Sequence, residues 1–242
     1  MSDDSPQQIL RYAWLGSMDY QPAYELQLRM LEARRKEEIP DTVLLLEHPH
    51  VFTLGRRGVQ DDVLAAEAEL KSLNADVIET DRGGQTTYHG PGQLVAYPIL
   101  NLRSLHIGPV VYVRTLEDVV INLLTELDIE AHRVAGATGV WTHGSLRPDL
   151  AAPLDVESKI AAIGVRVSRG ISMHGVAVNL TTDLSYFDKI VPCGMPDVSM
   201  ASAESISGKS LDIEQISRRF AESLAGILGS KAEAISADAI AA

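Results

Sequence analysis

The sequence predicts a mixed α/β domain with a central, largely antiparallel sheet. Three observations point there. Strand-like and helix-like segments are interspersed along the 242 residues without a regular strand–helix–strand repeat. Two strand candidates over residues 158–180 meet at a Ser-Arg-Gly turn, which calls for antiparallel pairing. The chain is 45% hydrophobic and only 22% charged, so it has apolar surface enough for one large core. No internal repeat and no linker divides it, so residues 1–242 are expected to form a single domain.

The elements follow in order. Residues 9–16 read as a first strand. Residues 20–38 read as an amphipathic helix with Tyr24, Leu28 and Leu31 on one face and basic residues late, where the helix dipole favours them. The run TVLLLEH at 42–48 is short, apolar and stopped by Pro49, which suits a buried strand. Residues 61–73 open with acids, as a helix N-terminus prefers. Strands follow at 75–80 and 94–100, with a glycine-rich loop between them. Residues 110–128 are the clearest helix: Val113, Leu116, Val120, Leu123, Leu124 and Leu127 recur at helical spacing. Short strands near 131–134 and 139–142 precede a proline-bearing loop at 146–155 and the hairpin at 158–180. The last helix spans 210–229, with Ser210 or Asp212 as its cap and Gly229 as its end; with the segment before it, it is expected to form a small C-terminal subdomain. The Ala-rich stretch 230–242 reads as a frayed, flexible tail.

Charge and composition exclude several classes. A net charge of -12 opposes nonspecific nucleic-acid binding, which rests on phosphate neutralisation. The acidic, polar start is no secretory signal, and no apolar run is long enough to span a membrane. A single cysteine excludes an internal disulfide and fits a reducing compartment, so a cytoplasmic location is expected. The sequon at Asn179 then carries no meaning.

Chemistry concentrates in a few places. The stretch DRGGQTTYHGPGQL at 81–94 holds four glycines, whose backbone can approach a ligand and aim N–H groups at a negative oxygen. It is no phosphate loop; SGKS at 207–210 comes nearest, but Ala203 stands where the first glycine should be. His48 and His50 flank Pro49 without a third ligand nearby, so no metal centre is expected. His174 on a strand has the pattern of a hydrogen-bonded core histidine. Lys159 opens an apolar strand, either as a snorkelling surface residue or as a partly buried amine able to stabilise a thiolate. Cys193, the single thiol, sits between Pro192 and Gly194 on a turn. Free cysteine is ordinarily a small buried hydrophobe, and spacing alone does not bring Lys159 to Cys193. Arg56 and Arg57 form a local basic pair, by default a solvated loop.

Taken together these segments resemble one family. EHPHVFTLGRRG at 47–58, RGGQTTYHGPGQLVAYPILNL at 82–102, GVWT at 139–142, KIAAIGVRVSRGISMHGVAVNL at 159–180 and FDKIVPCG at 187–194 stand in the order seen in lipoyl(octanoyl) transferases. The resemblance covers residues 10–228. It implies the biotin/lipoate protein ligase fold, a mixed sheet flanked by helices, and one catalytic domain. It also implies transfer of an octanoyl group from octanoyl-acyl carrier protein to a lysine of lipoyl domains, those of 2-oxoacid dehydrogenase complexes and of the glycine cleavage H protein. No cofactor and no ATP are implied. Carried over by position, the resemblance makes Cys193 the acyl-thioester nucleophile and Lys159 the group that lowers its pKa. Substrate contacts fall on Arg82, Gly83, Gly84 and Gln85, and then on Thr86, Thr87, Tyr88 and His89. Two further segments supply Ala162, Ile163 and Gly164, and His174, Gly175 and Val176. The family often has serine where Ala162 stands. Gly83, Gly84 and Gly194 are the candidate oxyanion donors, and Arg56, Arg57 and Arg82 become a candidate docking patch for acidic protein substrates. An ATP-dependent lipoate–protein ligase and a non-catalytic carrier-binding scaffold are the alternatives; neither needs Cys193.

Overall fold

The computed structural model describes residues 8–143, 156–195 and 197–241. In chain order its elements are β1 (Ile9–Ser17), α1 (Tyr20–Arg35), β2 (Thr42–Glu47), β3 (Val51–Leu54), α2 (Glu67–Ser72), β4 (Asp76–Glu79), β5 (Thr86–His89) and β6 (Gln93–Ile99). Then come α3 (Pro109–Glu126), β7 (His132–Val134), β8 (Ala137–His143), β9 (Glu157–Ser168), β10 (Ile171–Asn179), β11 (Ser199–Met200), α4 (Ala203–Ser207), α5 (Ile213–Ile227), β12 (Lys231–Ala234) and α6 (Asp238–Ala241). Short 3-10 turns occur at Gln60–Asp62, Leu184–Lys189 and Pro192–Gly194.

Among the described residues the large sheet has the order β12-β1-β2-β6-β10-β9-β8-β7, with β11 added to β9. It is mixed: β1 runs parallel to both β12 and β2, and the other neighbours along that order are antiparallel. The β9–β10 hairpin turns on Arg169 and Gly170, whose φ values of 52° and 92° are the pair of positive angles that a tight hairpin turn requires. A second sheet, β4-β3-β5, stands beside the first.

The apolar run of β2 is continuous because both faces of the sheet are covered. Val43 and Leu45 face a core shared with Leu116, Val120 and Leu123 of α3 and Phe220 and Leu224 of α5. Leu44 and Leu46 face the opposite core with Ala23, Leu26 and Met30 of α1. The small sheet has its own cluster, Phe52 and Tyr88 against Phe187 and Ile190.

Several expectations change. On α1 the buried stripe is Ala23, Leu26, Gln27, Met30 and Leu31, while Leu28 is 36% exposed and Tyr24 half-buried. The stripe turns because Gln27 is needed inside, where its Oε1 accepts the His174 backbone N–H at 2.7 Å. The helix expected at 61–73 shrinks to α2, because Leu64 donates to the Lys189 carbonyl at 2.8 Å and Val63 bridges to Ile190. No subdomain forms around α5; it packs into the main core against α3. The stretch beyond 230 is not a frayed tail throughout. Lys231 donates to the Gln8 carbonyl and Ile235 to the Tyr12 carbonyl, so β12 covers the open edge of β1. The Gly of SGKS is an ordinary left-handed cap of α4, with φ 65° at Gly208. The loop expected at 146–155 lies outside the described residues.

Candidate active site

A cavity of about 460 Å³ lies where β5 and the 82–85 loop of the small sheet meet β9, β10 and β6 of the large one. The two sheets touch backbone to backbone. Gly83 donates to the Val165 carbonyl at 3.1 Å, and a Cβ on Gly164 would stand 2.7 Å from the Gly83 carbonyl oxygen. Only glycine fits between strand and loop there. On β10, a Cβ on Gly175 would run into the Ala96 carbonyl oxygen, so that glycine lets β10 and β6 close up beside the cavity. The neighbouring His174 takes a left-handed φ of 55°, uncommon for a non-glycine residue and frequent where function dictates backbone shape.

Arg82 is the clasp between the two parts of the small sheet. It is 7% exposed, with Nη2 donating to the Thr53 carbonyl at 2.6 Å and to Thr53 Oγ1 at 2.8 Å, and Nη1 to the Gly83 carbonyl at 3.1 Å. The 55–58 loop follows this clasp: Arg56 donates to the Arg82 carbonyl and Arg57 to that of Gly84, both at 3.0 Å. Arg57 thereby reaches the cavity lip, and Arg56 and Arg57 are both exposed.

Two neutral imidazoles line the cavity. Gln93 Nε2 donates to the Tyr88 carbonyl and to Asn179 Oδ1, which turns its Oε1 toward His89 Nδ1 at 2.7 Å. His89 therefore carries its proton on Nδ1 and keeps a lone pair on Nε2. Burial, reinforced by His48 and Arg82, holds its pKa well below the ordinary range. His174 donates Nε2–H to Asp81 Oδ1 at 2.8 Å, and its Nδ1 is buried without a partner. Burial lowers its pKa despite the carboxylate. Arg166 and Tyr24 complete the group by donating to Asp81 Oδ2, whose pKa is lowered chiefly by the His174 hydrogen bond.

Lys159 is 2% exposed at the start of β9 and lines the same cavity. Its ammonium stands 4.7 Å from the centroid of the Trp141 ring, a cation–π contact. Among the described residues no carboxylate pairs with it. Of the two places open for this lysine, surface or interior, it takes the interior. The Pro192–Gly194 turn carrying Cys193 abuts this cavity: Gly194 packs directly against the Gln85 amide, and Met195 is a lining residue.

Thirteen of the expected positions border the cavity together: Arg82, Gly83, Gly84, Gln85, Thr87, His89, Lys159, Ala162, Ile163, Gly164, His174, Gly175 and Val176. Two expected contacts do not. β5 alternates, so Thr87 and His89 face the cavity while Thr86 and Tyr88 face away. Thr86 Oγ1 donates to Asp62 Oδ2 at 2.6 Å, and Tyr88 packs with Phe52 and Phe187. Arg82 is likewise corrected: held inside by Thr53, it cannot serve an external docking patch. Gly83 is spent as an oxyanion donor because its N–H already binds Val165, and the Gly194 N–H points to the Val191 carbonyl at 3.4 Å. The Gly84 N–H, with φ 92°, donates to no other group among the described residues. The histidine pair at 48 and 50 is fully used elsewhere. His48 binds the Met18 carbonyl and Tyr97, and His50 binds Tyr88 and Tyr186. Tyr20, Val95, Tyr97, Thr138 and Val165 also line the cavity without a signal in the sequence, as does Val113 of α3. Glu117 was also unforeseen: 1% exposed, it pairs with Arg114 and Arg133 and accepts the Gly139 N–H, holding the β7–β8 hairpin at the cavity edge.

With this geometry in place, known proteins of similar sequence and shape can be set beside it. Residues 19–225 match the family of the lipoyl protein ligase A/B catalytic domain. The octanoyltransferase of Koribacter versatilis (strain Ellin345) is 46% identical over 204 residues, 84% of this chain and 77% of that one. The octanoyltransferase of Acidobacterium capsulatum is 43% identical over 232 residues, 91% of each chain. Among solved structures, a chain from an archaeal lipoylation system, a bi-partite lipoate protein ligase and its E2 lipoyl domain from Thermoplasma acidophilum, superposes with a TM-score of 0.68. It covers 97% of this chain and 91% of that one at 15% identity, which makes the likeness one of fold.

Proposed function

Because the chain belongs to the lipoyl protein ligase A/B catalytic domain family, and within it to the octanoyltransferases, we propose that it transfers an octanoyl group from octanoyl-acyl carrier protein to a specific lysine of lipoyl domains through a thioester on Cys193. This is the first step of endogenous protein lipoylation, carried out by one catalytic domain in the cytoplasm. The observation that carries the reading is Lys159: a buried ammonium without a carboxylate partner among the described residues, lining the cavity that the Cys193 turn abuts. A buried charge whose one partner among the described residues is the face of the Trp141 ring remains costly and calls for an anion. In this reading the anion is the Cys193 thiolate, which an adjacent ammonium favours over the thiol.

The proposed steps balance without a cofactor. The Cys193 thiolate adds to the octanoyl thioester carbonyl, and the Gly84 N–H offers a donor to the oxygen that gains charge. The carbonyl re-forms, the carbon–sulfur bond to the carrier breaks, and Lys159 gives its proton to the departing thiolate. Lys159 is then a neutral amine. When the acceptor lysine attacks the acyl-enzyme, Lys159 takes the proton from the attacking nitrogen, and the Cys193 thiolate leaves. Exchange of one thioester for another is nearly isoenergetic, and the amide product makes the second transfer downhill. The apolar wall, Val95, Ile163, Val165 and Ala177 among its members, suits a saturated acyl chain.

The proposed acceptors are the lipoyl domains of 2-oxoacid dehydrogenase complexes and the glycine cleavage H protein. The fold neighbour described as part of an archaeal lipoylation system with its E2 lipoyl domain supports that class. The test combines purified protein, octanoyl-acyl carrier protein and a lipoyl domain without ATP, and follows the mass of the domain. Octanoylation of one domain lysine is expected. Modification that requires free octanoate and ATP would show a ligase instead.

A further inference from the structure

We infer that His132, His143 and Glu157 form a binding site for a divalent transition ion of the zinc class, on the β7–β8–β9 edge of the large sheet and apart from the acyl cavity. The three residues come from three adjacent strands, and pairing sets them on one face. His143 stands opposite Glu157 in the β8–β9 ladder, and His132 stands opposite Trp141, two residues before His143 and therefore on the same side. A diagonal pair of that kind lies within reach of long or ring side chains. The rings of His132 and His143 stack with centroids 4.7 Å apart. His132 Nε2 lies 3.0 and 2.9 Å from the two Glu157 carboxylate oxygens, and His143 Nε2 lies 3.9 Å from Oε1.

One ligand atom from each residue falls within 4.8 Å of the other two. Around a tetrahedral zinc with bonds of about 2.0–2.1 Å, donor atoms stand about 3.3 Å apart. Rotamer adjustments of at most about 1.5 Å therefore complete the set. Two imidazoles and a carboxylate are the nitrogen–oxygen mixture that zinc and its neighbours prefer; magnesium and calcium favour all-oxygen sets. Water would fill the remaining position. As ion pairs these exposed groups contribute little to stability. Near the acyl cavity both ring nitrogens of His48 and of His50 are engaged, and His89 and His174 each keep one free nitrogen but hold no second ligand beside it, so this trio stands out as a set of convergent donors among the described residues.

The placement gives the ion a structural consequence. Trp141 and Lys159 are the next same-face pair along the β8–β9 ladder, about 7 Å away at the usual strand rise. A metal joining His143 to Glu157 also closes the chain between β8 and β9, and joining both to His132 pins β7 to them. The bound ion would brace the ladder that carries Lys159.

The test uses the full chain stripped with a chelator and titrated with Zn²⁺ by calorimetry, and with Co²⁺ followed by visible absorption. One ion per chain is expected, with a Co²⁺ spectrum lacking a sulfur-to-metal charge-transfer band. His143→Asn and Glu157→Gln, both changes of exposed side chains, should each weaken binding by about 100-fold or more, since even disturbing an outer-shell partner costs up to that. Cys193→Ser should bind as the parent does. At 100-fold excess over the parent's Kd, Zn²⁺ should raise the melting temperature of the parent by about 5–10 °C and that of either variant by no more than about 1–2 °C. No stoichiometric binding, unchanged binding in the two variants, or loss of binding in Cys193→Ser would each overturn the assignment.

Discussion

His48 should make the fold acid-sensitive by an amount that its environment sets. Its ring is fully buried, with Nδ1–H donating to the Met18 carbonyl at 2.6 Å and Nε2 accepting the Tyr97 hydroxyl at 2.7 Å. Burial pulls its pKa from 6.5 down to about 4. Below pH 6.5 the unfolded chain binds a proton at this residue that the folded chain refuses until about pH 4, so stability falls as pH falls through that window. Integrating the linkage between pH 7 and pH 5 gives a loss of about 2 kcal/mol from this one group. His89 and His174, also depressed, add losses of the same sign. The assay is urea unfolding at pH 7, 6 and 5 for the parent and for His48→Asn, whose amide keeps a donor for Met18. The variant should be weaker at pH 7, yet its further loss on going to pH 5 should be smaller than the parent's by about 2 kcal/mol. Parallel pH profiles would mean that His48 is protonated in the fold, and the burial argument would be wrong.

Other expectations follow from the same geometry. Lys159→Met keeps the stem and removes an unpaired buried charge, so the melting temperature should hold or rise while octanoyl transfer falls by about 10²- to 10⁴-fold; a variant as active as the parent would remove Lys159 from the reaction. Gly175→Ala drives a methyl into the Ala96 carbonyl and should cost about 1–3 kcal/mol in denaturant unfolding, whereas an unchanged midpoint would contradict the close approach of β10 and β6. Arg56→Glu with Arg57→Glu should slow turnover of octanoyl-acyl carrier protein more than that of a small octanoyl thioester, with the difference shrinking as salt rises. Equal losses on both donors would place these arginines off the docking surface.

What the sequence made legible were the elements with a long or unmistakable pattern. The apolar run of β2, the heptad-like spacing of α3, the Ser-Arg-Gly hairpin and the Asp212 and Gly229 ends of α5 all stand where local chemistry puts them. Of the small sheet only β4 was legible, within the strand expected at 75–80. β3 is four residues of uniform burial just past a proline, and β5 is a polar Thr-Thr-Tyr-His inside a glycine-rich loop, so neither shows strand alternation until its partner is known. The site divided along similar lines. A lone thiol on a turn, a lysine heading an apolar strand and paired glycines announce themselves by type. Gln27 and Glu117 do not: both sit on helices, where a polar residue ordinarily faces water, and their burial follows from a strand backbone N–H that each accepts from across the fold. Tyr20, Tyr97 and Val113 carried no sign of the cavity, because only the meeting of two sheets distinguishes a cavity wall from a core.

The central claim is the acyl-enzyme at Cys193, and intact mass spectrometry tests it directly. The protein is mixed with octanoyl-acyl carrier protein alone, without ATP and without lipoyl domain, and the adduct is mapped by peptide. One octanoyl group should appear on the peptide bearing Cys193, leave on treatment with neutral hydroxylamine, and pass to a lipoyl domain added afterwards. Cys193→Ser should form no such thioester. Octanoyl transfer that proceeds at full rate with no adduct on Cys193 would contradict the account and favour direct transfer within a complex of the two protein substrates.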